Sequence, residues 1–338
     1  MKCINTVDAV GHVLCHDITV IIKDVKKGVA FKKGHVVTAE DIPALLNLGK
    51  EHLYVWEKLP GMLHEDEAAL RLFAICQGKN IVGTDIHEGK IECIADIDGL
   101  FWADTHRLDA INEMEELMIA TRHSGFAVHK GDKLAGTRVI PLVIAEEKLA
   151  QAEAAANGEA LMTVLPFLPL KAAIITTGSE VFHGRIQDTF TPVLRKKLEE
   201  FHIEVIQHQI LSDDQAKITA AIQEAIAQGA TLVLCTGGMS VDPDDRTPAA
   251  IRNSGAEIVT YGAPVLPGAM MLVGYCGDIP VLGLPGCVMY AKRTIFDLVL
   301  PWVAAGRRIT RKDIARLGHG GLCLNCETCY FPNCGFGK

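Results

Sequence analysis

The segment KAAIITTGSEVFHGRIQD (residues 171–188) places a continuous apolar run directly before a Gly-Ser turn and two carboxylates. Such a run is typical of a strand that is buried on both faces of a parallel sheet. A buried strand that ends in small residues before a helix often presents backbone N–H groups to an anion. The segment therefore predicts a strand over residues 171–177 and a candidate binding loop at its carboxyl end.

The residues after this strand alternate between strand patterns and helix patterns as far as residue 305. Strands are predicted at 203–210, 231–236, 256–262 and 279–284, and helices at 191–201, 212–229, 247–253 and 287–306. Alternation of this kind is the signature of an α/β sandwich with helices on both faces of the sheet. We therefore expect a doubly wound, mostly parallel α/β domain over residues 171–305.

The remainder of the chain has a different pattern. Short β-rich runs alternate with glycine turns in the first half, and one helix is predicted over residues 66–77. We expect a β-rich module over residues 1–60, followed over residues 61–165 by an α+β module and a helical connector. Residues 306–338 form a basic segment and a cysteine-rich tail.

The composition of the chain limits the kinds of molecule that we expect it to bind. The 338 residues carry a formal net charge of −8 without a long block of one sign, which argues against nucleic acid or an anionic membrane surface. The start of the chain lacks the layout of a signal peptide, and prolines interrupt its most apolar stretch, so we expect a cytoplasmic protein with no membrane partner. A mean hydropathy of +0.21 favours a buried interface and hence a homo-oligomer.

Three glycine-containing loops leave predicted strands at one edge of the sheet. Ligands of open α/β sheets bind at this edge, beyond the carboxyl ends of the strands. The loops are Thr177-Gly178-Ser179-Glu180, Thr236-Gly237-Gly238-Met239-Ser240 and Leu284-Pro285-Gly286. Glycine and serine are also common in ordinary turns, but three such loops in one domain favour a shared anion pocket.

Carboxylates accompany the same loops. They are Glu180, Asp188, Asp242, Asp244 and Asp245. Carboxylates repel a phosphate unless a hard cation such as Mg²⁺ lies between them, so the pattern predicts Mg²⁺ held mainly by Asp188 and Asp245. Helix capping is the alternative for these two residues, because each precedes a predicted helix. Capping does not account for the acidic cluster at residues 242–245.

Other motifs fit less well. The sequence has no G-x-x-x-x-G-K-[ST] motif and no G-x-G-x-x-G before a helix, and residues 238–242 lack the last glycine of G-x-S-x-G. His64-Glu65-Asp66-Glu67 suggests a metal site, but acidic residues in the first turn of a helix are the commoner explanation.

The segments TTGSEVFHGRIQD and TGGMSVDPDDRT, with the Pro267-Gly268 and GLPG turns, resemble the molybdopterin-binding domain of molybdenum-cofactor biosynthesis proteins. That family includes the molybdopterin molybdenumtransferases, and the resemblance covers residues 171–305. It implies that the domain binds a phosphorylated pterin, molybdopterin, together with Mg²⁺ at the strand ends. It also implies self-association, and a molybdoenzyme or another cofactor-synthesis protein as partner.

Site residues follow from the resemblance by position. It implies catalytic and Mg²⁺-binding roles for Asp188 and Asp245. The residues implied to bind the cofactor are Thr177, Gly178, Ser179, Glu180, Gly237, Gly238, Ser240, Pro285 and Gly286.

The chain also departs from the family pattern. Asp188-Thr189-Phe190 replaces the usual Asp-Ser-Asn, Asp242 replaces a glycine, and a cysteine-rich segment replaces the C-terminal β domain of full transferases. Binding of molybdopterin is therefore better supported than insertion of metal into it. Two alternatives stay open, namely a Mg²⁺-dependent nucleotide pyrophosphatase, whose Pro-Asp-Asp-x-Thr run resembles residues 243–247, and a non-catalytic carrier or sensor of the cofactor.

The tail GLCLNCETCYFPNCGFGK contains Cys323, Cys326, Cys329 and Cys334. The spacing C-x₂-C-x₂-C-x₄-C is close to a ferredoxin run, although its last gap is one residue longer and no proline follows. The same spacing can wrap a zinc ion, and a flexible thiol-rich end is the alternative without metal. We predict a metal site formed by these four cysteines, with an iron–sulfur cluster or zinc.

Overall fold

Two units, interleaved along the chain, make up the computed structural model, which describes residues 2–22, 26–55, 60–240, 242 and 245–338. The first unit consists of Met1–Ile97, Ala103–Arg122 and His129–Val164. The second consists of Asp98–Trp102, His123–Val128 and Leu165–Lys338. The predicted α/β domain lies in the second unit.

The described residues form the following elements. The strands are β1 (Lys2–Asn5), β2 (Ile18–Ile22), β3 (Lys26–Phe31), β4 (His52–Val55), β5 (Met62–His64), β6 (Ile81–Gly83), β7 (Lys90–Ala95), β8 (Gly99–Ala103), β9 (Leu117–Thr121), β10 (Ala127–Val128), β11 (Lys133–Val139), β12 (Val143–Ala145), β13 (Met162–Pro166), β14 (Lys171–Thr177), β15 (Glu204–Leu211), β16 (Leu232–Thr236), β17 (Glu257–Tyr261), β18 (Leu272–Cys276) and β19 (Ile279–Leu284). The helices are α1 (Asp41–Asn47), α2 (Glu65–Cys76), α3 (Thr105–Asn112), α4 (Glu146–Ala156), α5 (Ser179–Phe182), α6 (Phe190–Glu199), α7 (Gln215–Ala227), α8 (Thr247–Asn253), α9 (Ile295–Ala304) and α10 (Arg311–Arg316). Within the described ranges, no helix has the length and apolar content that crossing a membrane requires.

Small antiparallel sheets and short helices build the first unit. Strands β1 and β4 pair, β2 and β3 pair, and four further strands form a sheet in the order β6-β7-β11-β9. Helix α4 spans the region where a helical connector is predicted, and it packs within this unit. Arg71 of α2 makes two hydrogen bonds of 2.7 Å to the Glu153 carboxylate of α4.

A six-stranded sheet forms the centre of the second unit, in the order β15-β14-β16-β19-β18-β17. The first four strands are parallel, and β18 runs antiparallel to both of its neighbours. The predicted α/β class is confirmed. Strand β18 is absent from the sequence prediction, because Gly274 at its centre weakens the strand pattern of LVGYC.

Helices cover both faces of this sheet. Ile174 of β14 belongs to an apolar cluster with Leu194 of α6 and Val299 of α9. The next residue, Ile175, belongs to a second cluster with Ile222 of α7 and residues of α8. Successive side chains of a strand point to opposite faces, so a strand covered on both sides is apolar throughout. This explains the continuous apolar run in KAAIITT.

The prediction of one helix over residues 287–306 is wrong at its start. The structure has a 3₁₀ turn at Gly286–Met289, and α9 begins only at Ile295. The Thr294 hydroxyl accepts the backbone N–H of Phe296 at 3.2 Å, and the Asp297 carboxylate accepts that of Thr294 at 2.8 Å. This reciprocal capping box satisfies N–H groups that the first turn leaves free, and it fixes the start of α9.

Asp297 also forms a buried ion pair that joins α6 to α9. Its Oδ1 atom accepts hydrogen bonds from the Lys197 ammonium and, at 2.9 Å, from the Arg293 guanidinium. Lys197 and Asp297 are only 8% and 7% exposed. A buried charge is tolerated when it is paired, and removal of one partner leaves the other uncompensated.

Replacement of the two partners should therefore have unequal effects. Asp297→Ala isolates the Lys197 charge and removes the cap of α9, so we expect a loss of about 3–5 kcal/mol of unfolding free energy. Lys197→Met should lose less than about half of that amount, because Arg293 still pairs with Asp297. Urea unfolding followed by tryptophan fluorescence measures both variants. Equal losses would contradict a compensating role of Arg293.

The ends of β14 and β16 touch through their backbones. Gly237 has a φ of +82°, and a Cβ atom at this position would overlap the carbonyl oxygen of Thr177. The hydroxyls of Thr177 and Thr247 lie 3.2 Å apart beside this contact. Only glycine combines this backbone conformation with so close an approach.

Gly237→Ala should destabilise the second unit by about 3 kcal/mol or more, since it adds a backbone clash to an unfavourable φ. Thermal unfolding measures the loss. Gly229→Ala is the matched control, because Gly229 has a φ of +94° and a Cβ atom at this position would meet no other atom within 4 Å. That control should lose only the conformational part, about 1–2 kcal/mol. Similar losses in the two variants would refute the contact.

Candidate functional site

A cavity of about 950 Å³ opens where β14, β15 and β16 end. The first and second predicted loops line it together. Of the residues predicted to bind the cofactor or a metal, it is lined by Thr177, Gly178, Ser179, Glu180, Gly237, Gly238 and Asp245. The structure thus brings these residues to one cavity, as expected for strands whose carboxyl ends share an edge.

A second cavity of about 490 Å³ adjoins the first. Ser240, Pro285 and Gly286 line it, so the second and third predicted loops meet here. Both cavities share Gly237, Gly238, Asp242 and Asp245. The second cavity also has lining residues that the sequence prediction omits, namely Ala269, Met270, Cys287, Met289 and Tyr290.

The donors of the first loop are engaged by a carboxylate. The backbone N–H and the hydroxyl of Ser179 both donate to Oδ2 of Asp213, at 2.8 and 2.9 Å. Asp213 follows β15, the strand next to β14, and it is missing from the predicted site. Its position after a strand is visible in the sequence, but its contact with the first loop depends on β15 lying next to β14. The adjacent Asp214 has the expected role and caps α7 by accepting two backbone N–H groups.

The second loop is held by residues from two other strands of the sheet. The Tyr261 hydroxyl of β17 donates to the carbonyl oxygens of Met239 and Ser240, at 2.8 and 3.2 Å. The Met239 side chain is buried against Gly283 of β19. Burial, with a smaller contribution from Asp245, raises the pKa of Tyr261, so this hydroxyl stays a donor at neutral pH.

The acidic cluster of the second loop closes on itself. The backbone N–H of Asp242 donates to the Asp245 carboxylate at 3.2 Å, and that of Asp245 donates to the Asp242 carbonyl oxygen at 2.9 Å. Asp244 and Pro243, which belong to the same predicted cluster, lie outside the described residues. Asp245 lines both cavities, so it can contact a ligand that is bound in either one.

Asp188 lies at the start of α6. Its Oδ1 atom accepts the backbone N–H groups of Phe190 and Thr191 at 2.9 and 3.0 Å, and its Oδ2 atom lies 3.3 Å from Nε2 of His208. These are the contacts of a helix cap, the alternative considered for this residue. Asp188 is not among the described residues that line the two cavities. Its catalytic and Mg²⁺-binding roles stay predictions.

The pKa values of Asp188 and His208 are both below their usual values. Burial alone would raise the pKa of Asp188, but hydrogen bonds from Thr191 and Phe190 outweigh it and leave this pKa below its usual value. Burial lowers the pKa of His208 in spite of the nearby carboxylate. At neutral pH we therefore expect an ionised Asp188 beside a neutral imidazole.

The acidic segment at the start of α2 is used for capping. Nδ1 of His64 accepts the backbone N–H of Asp66 at 3.2 Å, and Lys33 pairs with the Asp66 carboxylate. Possible ligand atoms of His64, Glu65 and Asp66 do lie within 4.8 Å of one another. Burial and the neighbouring Asp66 raise the pKa of Glu65 to about 7. With Lys33 already present as the local cation, the first-turn explanation accounts for these contacts.

The four tail cysteines line one further cavity of the second unit, of about 300 Å³. Cys323 and Cys334 are half-buried, and Cys326 and Cys329 are exposed. The structure thus brings the predicted ligands together around one space.

Comparison with known families identifies two regions of the chain. Residues 173–305 match the family described as probable molybdopterin binding domain. Residues 3–57 match a domain of unknown function. The first match covers the sheet and all three loops of the candidate site.

Curated relatives match parts of the chain. A molybdopterin molybdenumtransferase of Haemophilus influenzae is 32% identical over 142 residues, which cover 40% of this chain and 35% of that protein. A molybdopterin molybdenumtransferase of Synechococcus elongatus is 25% identical over 61% of this chain and 54% of that protein. A CinA-like protein of a Mycobacterium species is 36% identical over 26% of this chain and 21% of that protein. The chain thus spans about a third to a half of the transferases it matches.

A solved structure of the molybdopterin biosynthesis enzyme MoaB from Thermus thermophilus is also similar. It is 25% identical, and the match covers 40% of this chain and 91% of that one with a TM-score of 0.34. The predicted family resemblance is confirmed by the sequence comparisons, which match residues 173–305 to the probable molybdopterin binding domain.

Proposed function

We propose that the second unit binds molybdopterin with Mg²⁺ at the two adjoining cavities and acts as a molybdopterin molybdenumtransferase. The observation that carries this proposal is the convergence of three Gly/Ser loops and several carboxylates at one sheet edge of a molybdopterin-binding domain. Molybdate is the second substrate in this reaction. The transferase names of the curated relatives support the reaction class.

The two cavities offer different chemistry to the two ends of such a ligand. The first is lined by the Ser179 loop and Arg185, which suit a phosphate group. The second is lined by Met270, Met289 and Tyr290, which suit a flat ring, because thioethers and aromatic faces pack well on ring systems. We assign the phosphate to the first cavity and the pterin ring to the second.

Mg²⁺ fits the donor set of these cavities. Glu180, Asp213, Asp242 and Asp245 supply carboxylates, and in the described lining Arg185 is the one basic side chain. Across the described chain, these carboxylates do not form a group of three with oxygens within 4.8 Å of one another. Mg²⁺ is usually held by one or two carboxylates together with substrate phosphate and water, so a dispersed set suits it.

Asp245 is the carboxylate placed to hold Mg²⁺ in this proposal, because it lines both cavities. The ion would neutralise charge on the phosphate and orient it. Asp188 supports the same edge from the cap of α6, where the N–H groups of Phe190 and Thr191 hold its carboxylate. Ser179 and Arg185 orient the phosphate, and the buried Met239 keeps the second loop in place.

Asp245→Asn should weaken Mg²⁺-dependent binding of molybdopterin by about ten- to a hundredfold, the range for one lost charged interaction. The melting temperature should stay nearly unchanged, because Asn still accepts the N–H of Asp242. Titration calorimetry with and without Mg²⁺ measures the effect. Asp278→Asn, at an exposed turn of the same unit, is the control. Equal Mg²⁺-dependent affinity in Asp245→Asn and the unchanged protein would overturn the assignment.

Turnover separates the proposed reaction from the alternatives. Molybdate-dependent conversion of adenylylated molybdopterin with release of AMP supports the transferase. Metal-dependent release of AMP from ADP-ribose without molybdate would instead indicate the pyrophosphatase. Tight binding of the pterin without either reaction would indicate a carrier or sensor. Natively purified protein, analysed for pterin and metal that remain bound, tests the ligand itself.

The contact of Asp213 with Ser179 sets the anion affinity of the first cavity. A phosphate that binds at Ser179 meets a carboxylate that already accepts both donors of this residue. Two unit charges about 4 Å apart repel by about 1 kcal/mol even in water, which corresponds to about a fivefold change in affinity. In the absence of Mg²⁺, Asp213 therefore disfavours phosphate.

Asp213→Asn should raise the affinity for pyrophosphate in Mg²⁺-free buffer by about fivefold, because it removes this charge and keeps an acceptor for Ser179. Titration calorimetry or ligand-induced shifts in melting temperature report the change. Asp278→Asn is the matched control, since it removes an equal charge from an exposed residue of the same unit that does not line the first cavity. An unchanged affinity in Asp213→Asn would contradict the placement of phosphate at Ser179.

A further inference from the structure

The cysteine-rich tail is fixed to the second unit at its beginning. The backbone N–H of Cys323 donates to the carbonyl oxygen of Leu266 at 2.8 Å. The backbone N–H of Leu266 donates in turn to the carbonyl oxygen of Gly321 at 2.8 Å. Cys323 and Cys334 pack against the apolar core that includes α9. The tail is therefore a built part of this unit rather than the flexible end considered as the alternative.

The end of the tail returns to its beginning. The backbone N–H of Gly337 donates to the carbonyl oxygen of Gly320 at 2.9 Å, and the Phe336 ring is buried. Gly320 has a φ of +81°, and a side chain there would overlap the backbone of Lys338. Residues 320–338 thus form a closed loop, which holds the cysteines between two fixed ends.

All four cysteines of this loop line the same cavity of about 300 Å³. Two basic residues, Lys292 and Arg293, line it with them. The Lys292 ammonium donates to the carbonyl oxygen of Glu327 at 2.6 Å, between the two exposed cysteines. The Arg293 guanidinium lies 4.9 Å from the centre of the Phe331 ring and also pairs with Asp297. Cations that line the same cavity offset the negative charge that thiolate ligands bring to a metal centre.

The distances between the thiols indicate whether they suit a single metal ion or a larger metal cluster. A zinc ion with bonds of about 2.3 Å holds tetrahedral thiolates about 3.8 Å apart. Over the whole described chain, no three tail thiols lie within 4.8 Å of one another. They line a cavity instead, which suits an iron–sulfur cluster, because its inorganic core keeps the four cysteine sulfurs farther apart than a single ion does.

We propose that Cys323, Cys326, Cys329 and Cys334 bind one iron–sulfur cluster in this cavity. The four thiols bind as thiolates and release their protons, and iron and sulfide are supplied from outside the protein. The site is independent of the pterin proposal, because it uses none of the residues assigned to the pterin or to Mg²⁺.

The test uses the full chain, purified without oxygen or reconstituted anaerobically with ferric iron, sulfide and dithiothreitol, the thiol reductant that reduces part of the iron. We expect brown protein with equal amounts of iron and acid-labile sulfide and a visible absorption that dithionite bleaches. Cys326→Ser and Cys329→Ser should each lose most of the iron. Both side chains are exposed, so the metal-free variants should melt at the temperature of the metal-free parent. Cys3→Ser, an exposed cysteine of the first unit, is the matched control and should keep the cluster.

Two results would overturn the proposal. A colourless protein with one zinc, lost in Cys326→Ser and kept in Cys3→Ser, would replace the cluster by a single ion. Protein that takes up no metal under these conditions, with all four tail thiols rapidly alkylated by iodoacetamide, would remove the metal site altogether. Neither readout depends on pterin binding, so the test stays informative if the proposed function fails.

Discussion

The ligand edge of this protein depends on one contact between backbones. Gly237 lies so close to the carbonyl oxygen of Thr177 that no side chain fits between the ends of β14 and β16. Because the two strands end in contact, the loops that follow them open into the same space. Asp245 and Ser179, which are 66 positions apart in the sequence, therefore line one cavity. The chemistry proposed for the edge follows from this geometry.

Most of the second unit could be predicted from the sequence, because its strands are covered on both faces and therefore read as continuous apolar runs. Strand β18 and the start of α9 were not predicted. Strand β18 contains Gly274, which carries no side chain to mark a strand. The start of α9 is set by a capping box between Thr294 and Asp297. The two residues are three positions apart, which is the spacing that marks a capping box in a sequence. Strand β18 is therefore recognisable only from the tertiary packing, whereas the start of α9 is encoded in the local sequence.

The loop residues of the site were predictable for a related reason. Parallel strands end at a common edge, so the glycines and serines after β14, β16 and β19 had to lie near one another. Asp213 was not predicted, since its role depends on β15 being the neighbour of β14, and the sequence does not state the order of strands. The contact between Asp188 and His208 depends on the same order.

The third loop belongs to two environments at once. Four of the five residues after Leu284 and also Tyr290 line the second cavity, and Lys292 and Arg293, a little further along, line the cavity of the tail cysteines. Leu266, whose carbonyl oxygen accepts the N–H of Cys323, likewise precedes Ala269 and Met270, which line the second cavity. Occupancy of one cavity that shifts these segments changes the free energy of binding at the other. Thermodynamic linkage requires any such effect to be reciprocal, with the same factor at both cavities.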